Sequence, residues 1–142
     1  MDRETATRAG ITGLGARVHL FVRPEVRERF LALFRDVLDC AVTELDFGMG
    51  QPIALVRFGD GSSFSAESSE LAPTDSAGQA VTDDSALRGA WIEFRTGDPA
   101  GYTQRLANAG IPQFRHPGSN HTYFSAPGGQ VFRLLDVSYV GP

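Results

Sequence analysis

Few side chains in this 142-residue chain are equipped for chemistry: three histidines, His19, His116 and His121, and one cysteine, Cys40. A neutral imidazole can carry a proton or hold a metal ion. His116 and His121 flank Pro117-Gly118-Ser119-Asn120, which reads as a hairpin loop. Five residues apart across a Pro-Gly break, they suit no helical metal pair and are expected to be water-facing turn residues. Cys40 has no partner for an internal disulfide and no visible base beside it. It follows an amphipathic stretch and reads as a small buried hydrophobe. His19 differs, because it sits inside an apolar strand pattern. There is no phosphate loop, dinucleotide fingerprint, nucleophile elbow or His-Glu-x-x-His pair.

The elements that must position these residues are legible. Apolar residues make up 42% of the chain, enough for a packed core without staples, and ten Phe against one Trp point to a core built on Phe. The net charge of −4 excludes a basic nucleic-acid footprint, and no stretch is long and apolar enough to cross a membrane. Met1 to Gly15 has no signal-type apolar core and reads as a frayed tail. With no paired cysteines, a cytoplasmic location is expected.

Arg17 to Val22 reads as a strand. A helix opens at Arg23-Pro24-Glu25, with proline in its first turn. Val26, Phe30, Leu33, Phe34, Val37 and Leu38 form its apolar face. Strands follow at Ala41–Phe47, Ile53–Phe58 and Ser63–Glu67, the last two joined by the turn Gly59-Asp60-Gly61. Residues 68–88 are acidic, rich in Ser, Asp, Thr, Ala and Gly, and read as a linker.

The order then restarts. Ala90 to Arg95 is a strand, and Asp98-Pro99 caps and opens a helix with Tyr102, Leu106 and Ala109 on its buried side and Gly110 at its stop. Strands at Ile111–Phe114, His121–Ser125 and Gln130–Val137 complete it. The two halves, 16–67 and 89–140, are each β-α-β-β-β, and each closes on an apolar run, a Gly turn and a second apolar run. Phe58 to Phe64 is echoed by Phe124 to Phe132. Laid side by side, the copies set His19 against Trp91, Phe21 against Glu93, Phe64 against Phe132 and Ser65 against Arg133. The fold class expected is α+β, two such modules in one compact domain, each a mixed sheet with a helix on one face. A site is expected where the copies meet.

Four pieces in this order carry a resemblance. They are the His19 strand entering a helix, the Trp91 strand ending at Asp98-Pro99, Leu106 to Gly110, and Ala126-Pro127-Gly128-Gly129-Gln130-Val131-Phe132. From residue 16 to about 138 the chain resembles the vicinal oxygen chelate superfamily of glyoxalases, bleomycin-resistance proteins and extradiol dioxygenases. The last piece is similar to that family's closing turn, Asp-Pro-x-Gly-Asn before an apolar strand. The resemblance implies that the helix-free face of each sheet is concave and cups a ligand. It also implies, in the metal enzymes, one ligand from the first and fourth strands of each half: here His19, Ser65 (or Glu67, two residues along the same face), Trp91 and Arg133. Trp91 cannot bind a metal, and the permanent cation of Arg133 repels one. A set of His19, Glu67 and Glu93 for Zn, Fe, Mn or Ni is the alternative, with Arg133 beside the ion.

The reading this favours is a metal-free cavity in which the ion is replaced by a charge cluster, Arg133 pairing with Glu93 or Glu67. His19, Phe21, Ser65, Glu67, Trp91, Glu93, Tyr123 and Arg133 are the candidate ligand-binding residues. Tyr123 alternates with Phe124, and parity alone does not fix which faces the cavity. The function expected is binding or sequestration of a small organic molecule. The alternatives are a metal-dependent lyase, isomerase or dioxygenase on His19, Glu67 and Glu93, or a partner protein without ligand. The resemblance further implies a homodimer, with halves side by side or exchanged.

Overall fold

A computed structural model describes residues 10, 12, 14–48, 50–70, 87–115 and 120–140. The expected tail and linker therefore fall largely outside the described residues, as does His116. The strands are β1 (His19–Val22), β2 (Ala41–Leu45), β3 (Ile53–Arg57), β4 (Ser63–Ser68), β5 (Leu87–Thr96), β6 (Gln113–Phe114), β7 (Thr122–Ser125) and β8 (Gln130–Asp136). They form two four-stranded sheets, β1-β4-β3-β2 and β5-β8-β7-β6. In each, the first strand runs parallel to the fourth, and the other neighbours are antiparallel. The same order and the same sense of pairing occur twice, so the chain is two βαβββ units, as the repeated pattern requires. β5 begins at Leu87, inside the segment read as linker.

The first helix departs from a uniform spiral. A 3-10 turn at Pro24–Val26 leads into α1 (Arg27–Ala32), and a π turn follows at Leu33–Val37. The Leu38 amide reaches back five residues to the Leu33 carbonyl, at 3.0 Å. The widened turn keeps Phe30, Leu31, Leu33 and Phe34 buried together. Asp39 ends the run in the left-handed region, φ 58°, which an aspartate tolerates better than most residues. α2 (Pro99–Asn108) starts where its signals place it: Asp98 accepts from the Gly101 amide at 3.0 Å.

One core serves both units. Phe34 is fully buried and contacts Phe64 of the first sheet, at 5.1 Å between ring centres, and Phe94 and Phe132 of the second, at 5.8 and 5.4 Å. Phe94 stacks on Phe132 at 4.7 Å. Alternation along each strand turns the intervening residues away from this core. Those residues are His19, Phe21, Ser65 and Glu67 on one sheet, and Trp91, Glu93, Tyr123 and Arg133 on the other. Phe124 takes the core side, packing on Phe94 and Phe132, and leaves the opposite side to Tyr123.

The ladders correct the side-by-side placement of the copies. With Ser65 matched to Arg133, His19 pairs with Ser65 while Glu93, not Trp91, pairs with Arg133. Trp91 lies opposite Val131. His19 answers Glu93, 74 positions on, while Ser65 answers Arg133, 68 positions on, so no single offset sets both strands in register. Two smaller expectations also change. His121 is half-buried, its ring edge-on to Tyr139 at 4.7 Å, because the chain after β8 returns over it. The third strand of the second half shortens to Gln113–Phe114.

Candidate functional site

On the first sheet the parallel pairing of β1 with β4 sets His19 beside Ser65 and Phe21 beside Glu67. The imidazole lies between two β4 side chains. Its Nδ1 is 2.6 Å from Ser65 Oγ and its Nε2 is 2.8 Å from Glu67 Oε1. Ser65 and Glu67, read from sequence as alternatives, both engage His19, since residues two apart on a strand share a face. The group is open to water: the side chains of His19 and Glu67 are 34% and 41% exposed. The half-exposed Phe21 ring stands edge-on to His19 at 5.2 Å.

On the second sheet, Arg133 Nη2 donates to Glu93 Oε1 at 2.6 Å, and Nη1 donates to Tyr123 Oη at 3.4 Å. The guanidinium lies over the Trp91 ring at 5.0 Å and the Tyr123 ring at 5.9 Å. Trp91 meets Tyr123 edge-on at 5.6 Å, and Phe114 stacks behind Tyr123 at 5.8 Å. Val131 and Leu135, on the Arg133 side of β8, are also buried. Arg133 is thus a cation in apolar and aromatic surroundings, with one carboxylate to balance it. The Glu93 hydrogen bond, then the Tyr123 one, raise its pKa above the ordinary arginine value. Its Nε is buried without a partner.

Within one chain, the two groups stay apart. None of His19, Ser65 and Glu67 bonds to Glu93 or Arg133, and each group is hydrogen-bonded within itself. The donors fit a divalent ion poorly. Glu93 is held by a permanent cation, Glu67 by His19, and Trp91 offers no lone pair. Among the described residues, no three His, Cys, Asp or Glu side chains converge. Cys40 is half-buried, and burial pushes its thiol pKa up to about 11, as an inert cysteine requires.

Two cavities run along the open edges of the sheets. β1 pairs only with β4 among the described residues, and its free edge borders a cavity of about 190 Å³ lined by His19, Phe21, Val22, Phe30, Pro127 and Gln130. Among the described residues β5 likewise pairs with β8 alone, and a groove of about 640 Å³ follows its edge, reached by Val18, Phe64, Ile92, Glu93, Phe94 and Val137. Both lie where the halves meet. Pro127, Gln130 and Phe114 went unread from sequence, although the turn holding Pro127 and Gln130 was visible as a motif. Unread too was the clasp of Asp39 with Tyr102 Oη, at 2.9 Å, and with the Arg105 guanidinium, which ties the end of the first helix to α2.

No family model matches this sequence, and no curated protein matches it. Solved structures do. A putative glyoxalase family protein from Bacillus anthracis is 14% identical over 92% of this chain and 98% of its own, with a TM-score of 0.65. The fosfomycin resistance protein FosX from Mesorhizobium loti is 18% identical over 88% and 92%, with a TM-score of 0.56. TnmS3, an antibiotic-binding protein from Streptomyces sp. CB03234, is 14% identical over 89% and 98%, with a TM-score of 0.57. The chain has the fold these proteins share.

Proposed function

We propose that the chain is a metal-free binding or sequestration protein for a small, amphipathic, aromatic-bearing organic molecule. The observation that carries this reading is the Arg133–Glu93 pair under Trp91 and Tyr123. An ion pair and aromatic surface, at positions the resemblance assigns to metal ligands, support a site that works without an ion. Half-exposed Trp91 and Phe21 offer flat apolar contacts beside polar groups, the composition that orients a small ligand. A groove of about 640 Å³ is of ligand size. The likeness of fold to TnmS3, described as an antibiotic-binding protein, supports the same class.

A homodimer and a cytoplasmic location belong to this proposal. Two separate half-sites and two open sheet edges support a dimer in which each cavity draws on both copies. Elemental analysis with native mass spectrometry, on protein purified without chelator, tests the reading. The expected result is a dimer with no stoichiometric Zn, Fe, Mn or Ni. A metal lost on His19→Ala would overturn it in favour of the enzyme using His19, Glu67 and Glu93. FosX of Listeria monocytogenes, of the same fold, is known with Mn(II), which makes that the reading to exclude.

A further inference from the structure

We propose that Ser65, His19 and Glu67 form a nucleophilic group able to accept an acyl group from an aryl ester. With the imidazole neutral, the hydrogen-bond inventory gives each bond its direction. An ionised carboxylate only accepts, so Glu67 Oε1 takes the Nε2–H of His19 across 2.8 Å. The neutral imidazole then presents a lone pair on Nδ1, and Ser65 Oγ, at 2.6 Å, donates its proton to it. A hydroxyl, a base within hydrogen-bond reach and a third group fixing the base's tautomer are what an activated serine requires. Relative to the familiar serine hydrolases the ring nitrogens are exchanged: Nδ1 faces the nucleophile and Nε2 the carboxylate. The exchange follows from the strand, on which Ser65 and Glu67 flank His19 from positions two apart.

Access and substrate class come from the surroundings. The group lies on an open face, and His19 borders the cavity of about 190 Å³ along the β1 edge. The half-exposed Phe21 ring beside His19 gives an aromatic leaving group a surface to lie on. In the first step Ser65 Oγ bonds to the ester carbonyl carbon and the bond to the phenolic oxygen breaks. The serine proton passes to Nδ1 and on to the departing phenolate. In the second step a water oxygen bonds to the same carbon and the Ser65 ester bond breaks. The water's proton returns through Nδ1 to Oγ. Ester and water become acid and phenol, with no oxidant or cofactor. Ser65 and His19 are catalytic in this scheme, and Glu67 positions the imidazole.

The chain contains no lysine, which removes the usual competing site of acylation. The test is p-nitrophenyl acetate with the full-length protein, reading released p-nitrophenolate and mapping the acetyl group by peptide mass spectrometry. In protein quenched with acid during the initial burst, before water releases the acyl group, one acetyl group per chain, on Ser65, is expected. His19→Gln should slow its transfer by about 100-fold or more. Glu67→Gln should slow it by about 10-fold, and Glu67→Asp should restore part of that loss, with melting temperatures recorded for all. The map on the unsubstituted chain decides the matter even where a variant does not fold. An acetyl group on the N-terminal amine, Cys40 or a tyrosine, no acetyl group at all, or a His19→Gln protein acylated as fast as its parent would overturn the proposal. An aspartate variant no faster than the glutamine variant would remove Glu67 from it.

Discussion

Cutting the Arg133–Glu93 pair from either side should give unequal costs, because the partners are unequally buried. The Arg133 side chain is 12% exposed and that of Glu93 is 40%. Breaking a fully buried pair costs about 3–5 kcal/mol, chiefly from the charge left behind, whereas an exposed pair contributes about 0–1 kcal/mol. Glu93→Ala strands the guanidinium between Trp91, Tyr123, Val131 and Leu135. The guanidinium is mostly but not wholly withdrawn from water, so about 2–3 kcal/mol is expected. Arg133→Met leaves a carboxylate that water already reaches. It forfeits a cation–π contact of about 0.5–1 kcal/mol, but it also removes the buried, unpartnered Nε, whose desolvation itself costs about 1–3 kcal/mol. Methionine keeps the stem against the Trp91 ring. A net cost of about 1 kcal/mol or less follows. At this chain length 1 kcal/mol moves the melting temperature by about 3–4 °C, so calorimetry should find a fall of roughly 6–12 °C for Glu93→Ala and under about 4 °C for Arg133→Met. The double variant should resemble Arg133→Met. The reverse order, or two variants that both melt with the parent, would refute the reasoning.

The Asp39 carboxyl is held below the ordinary range by the Arg105 guanidinium and then by the Tyr102 hydroxyl. Its contribution is therefore present above the unfolded-state pKa and lost as pH falls through the depressed folded value. Asp39→Asn should flatten the acid limb of a melting-temperature-against-pH curve while leaving its slope above pH 6 unchanged. Cys40, with its thiol pushed to about 11, should react with a disulfide reagent at pH 8 only after denaturant is added, and rapid labelling of the folded chain would contradict its burial. Phe34→Ala removes the ring that both sheets share and should cost about 3–5 kcal/mol by urea titration, against well under 1 kcal/mol for the exposed Phe47→Ala.

What could be read from sequence was what repeats or alternates. The β-α-β-β-β order, the Asp98-Pro99 helix start and the glycine turns emerged because each has a local signal. The pairing of Arg133 was legible because an inward-facing cation requires a counter-charge, and Glu93 supplies it. Registers were not legible. Trp91 took the place of Glu93 because nothing in the residues marks how the spacing from first to fourth strand differs between the two halves. Tyr123 and Phe124 could not be told apart by parity until the core claimed the one without a hydroxyl. Nor does any spacing announce that Asp39, at the end of one helix, holds Arg105 and Tyr102 on another, since that contact exists only once the halves have docked.

Phe34 touches rings of both sheets, and Phe64 reaches Phe94 and Phe132 directly. The two units are alike in plan yet own no separate interiors. Each spans about fifty residues, a length at which a lone domain hides too little surface to offset the entropy of its ordered chain. Heating should therefore give one endotherm whose van't Hoff and calorimetric enthalpies agree, not a pair of overlapping steps. Either half expressed alone should remain a collapsed, proteolysis-prone chain. The duplication is visible in the architecture, but in thermodynamic terms the molecule is indivisible.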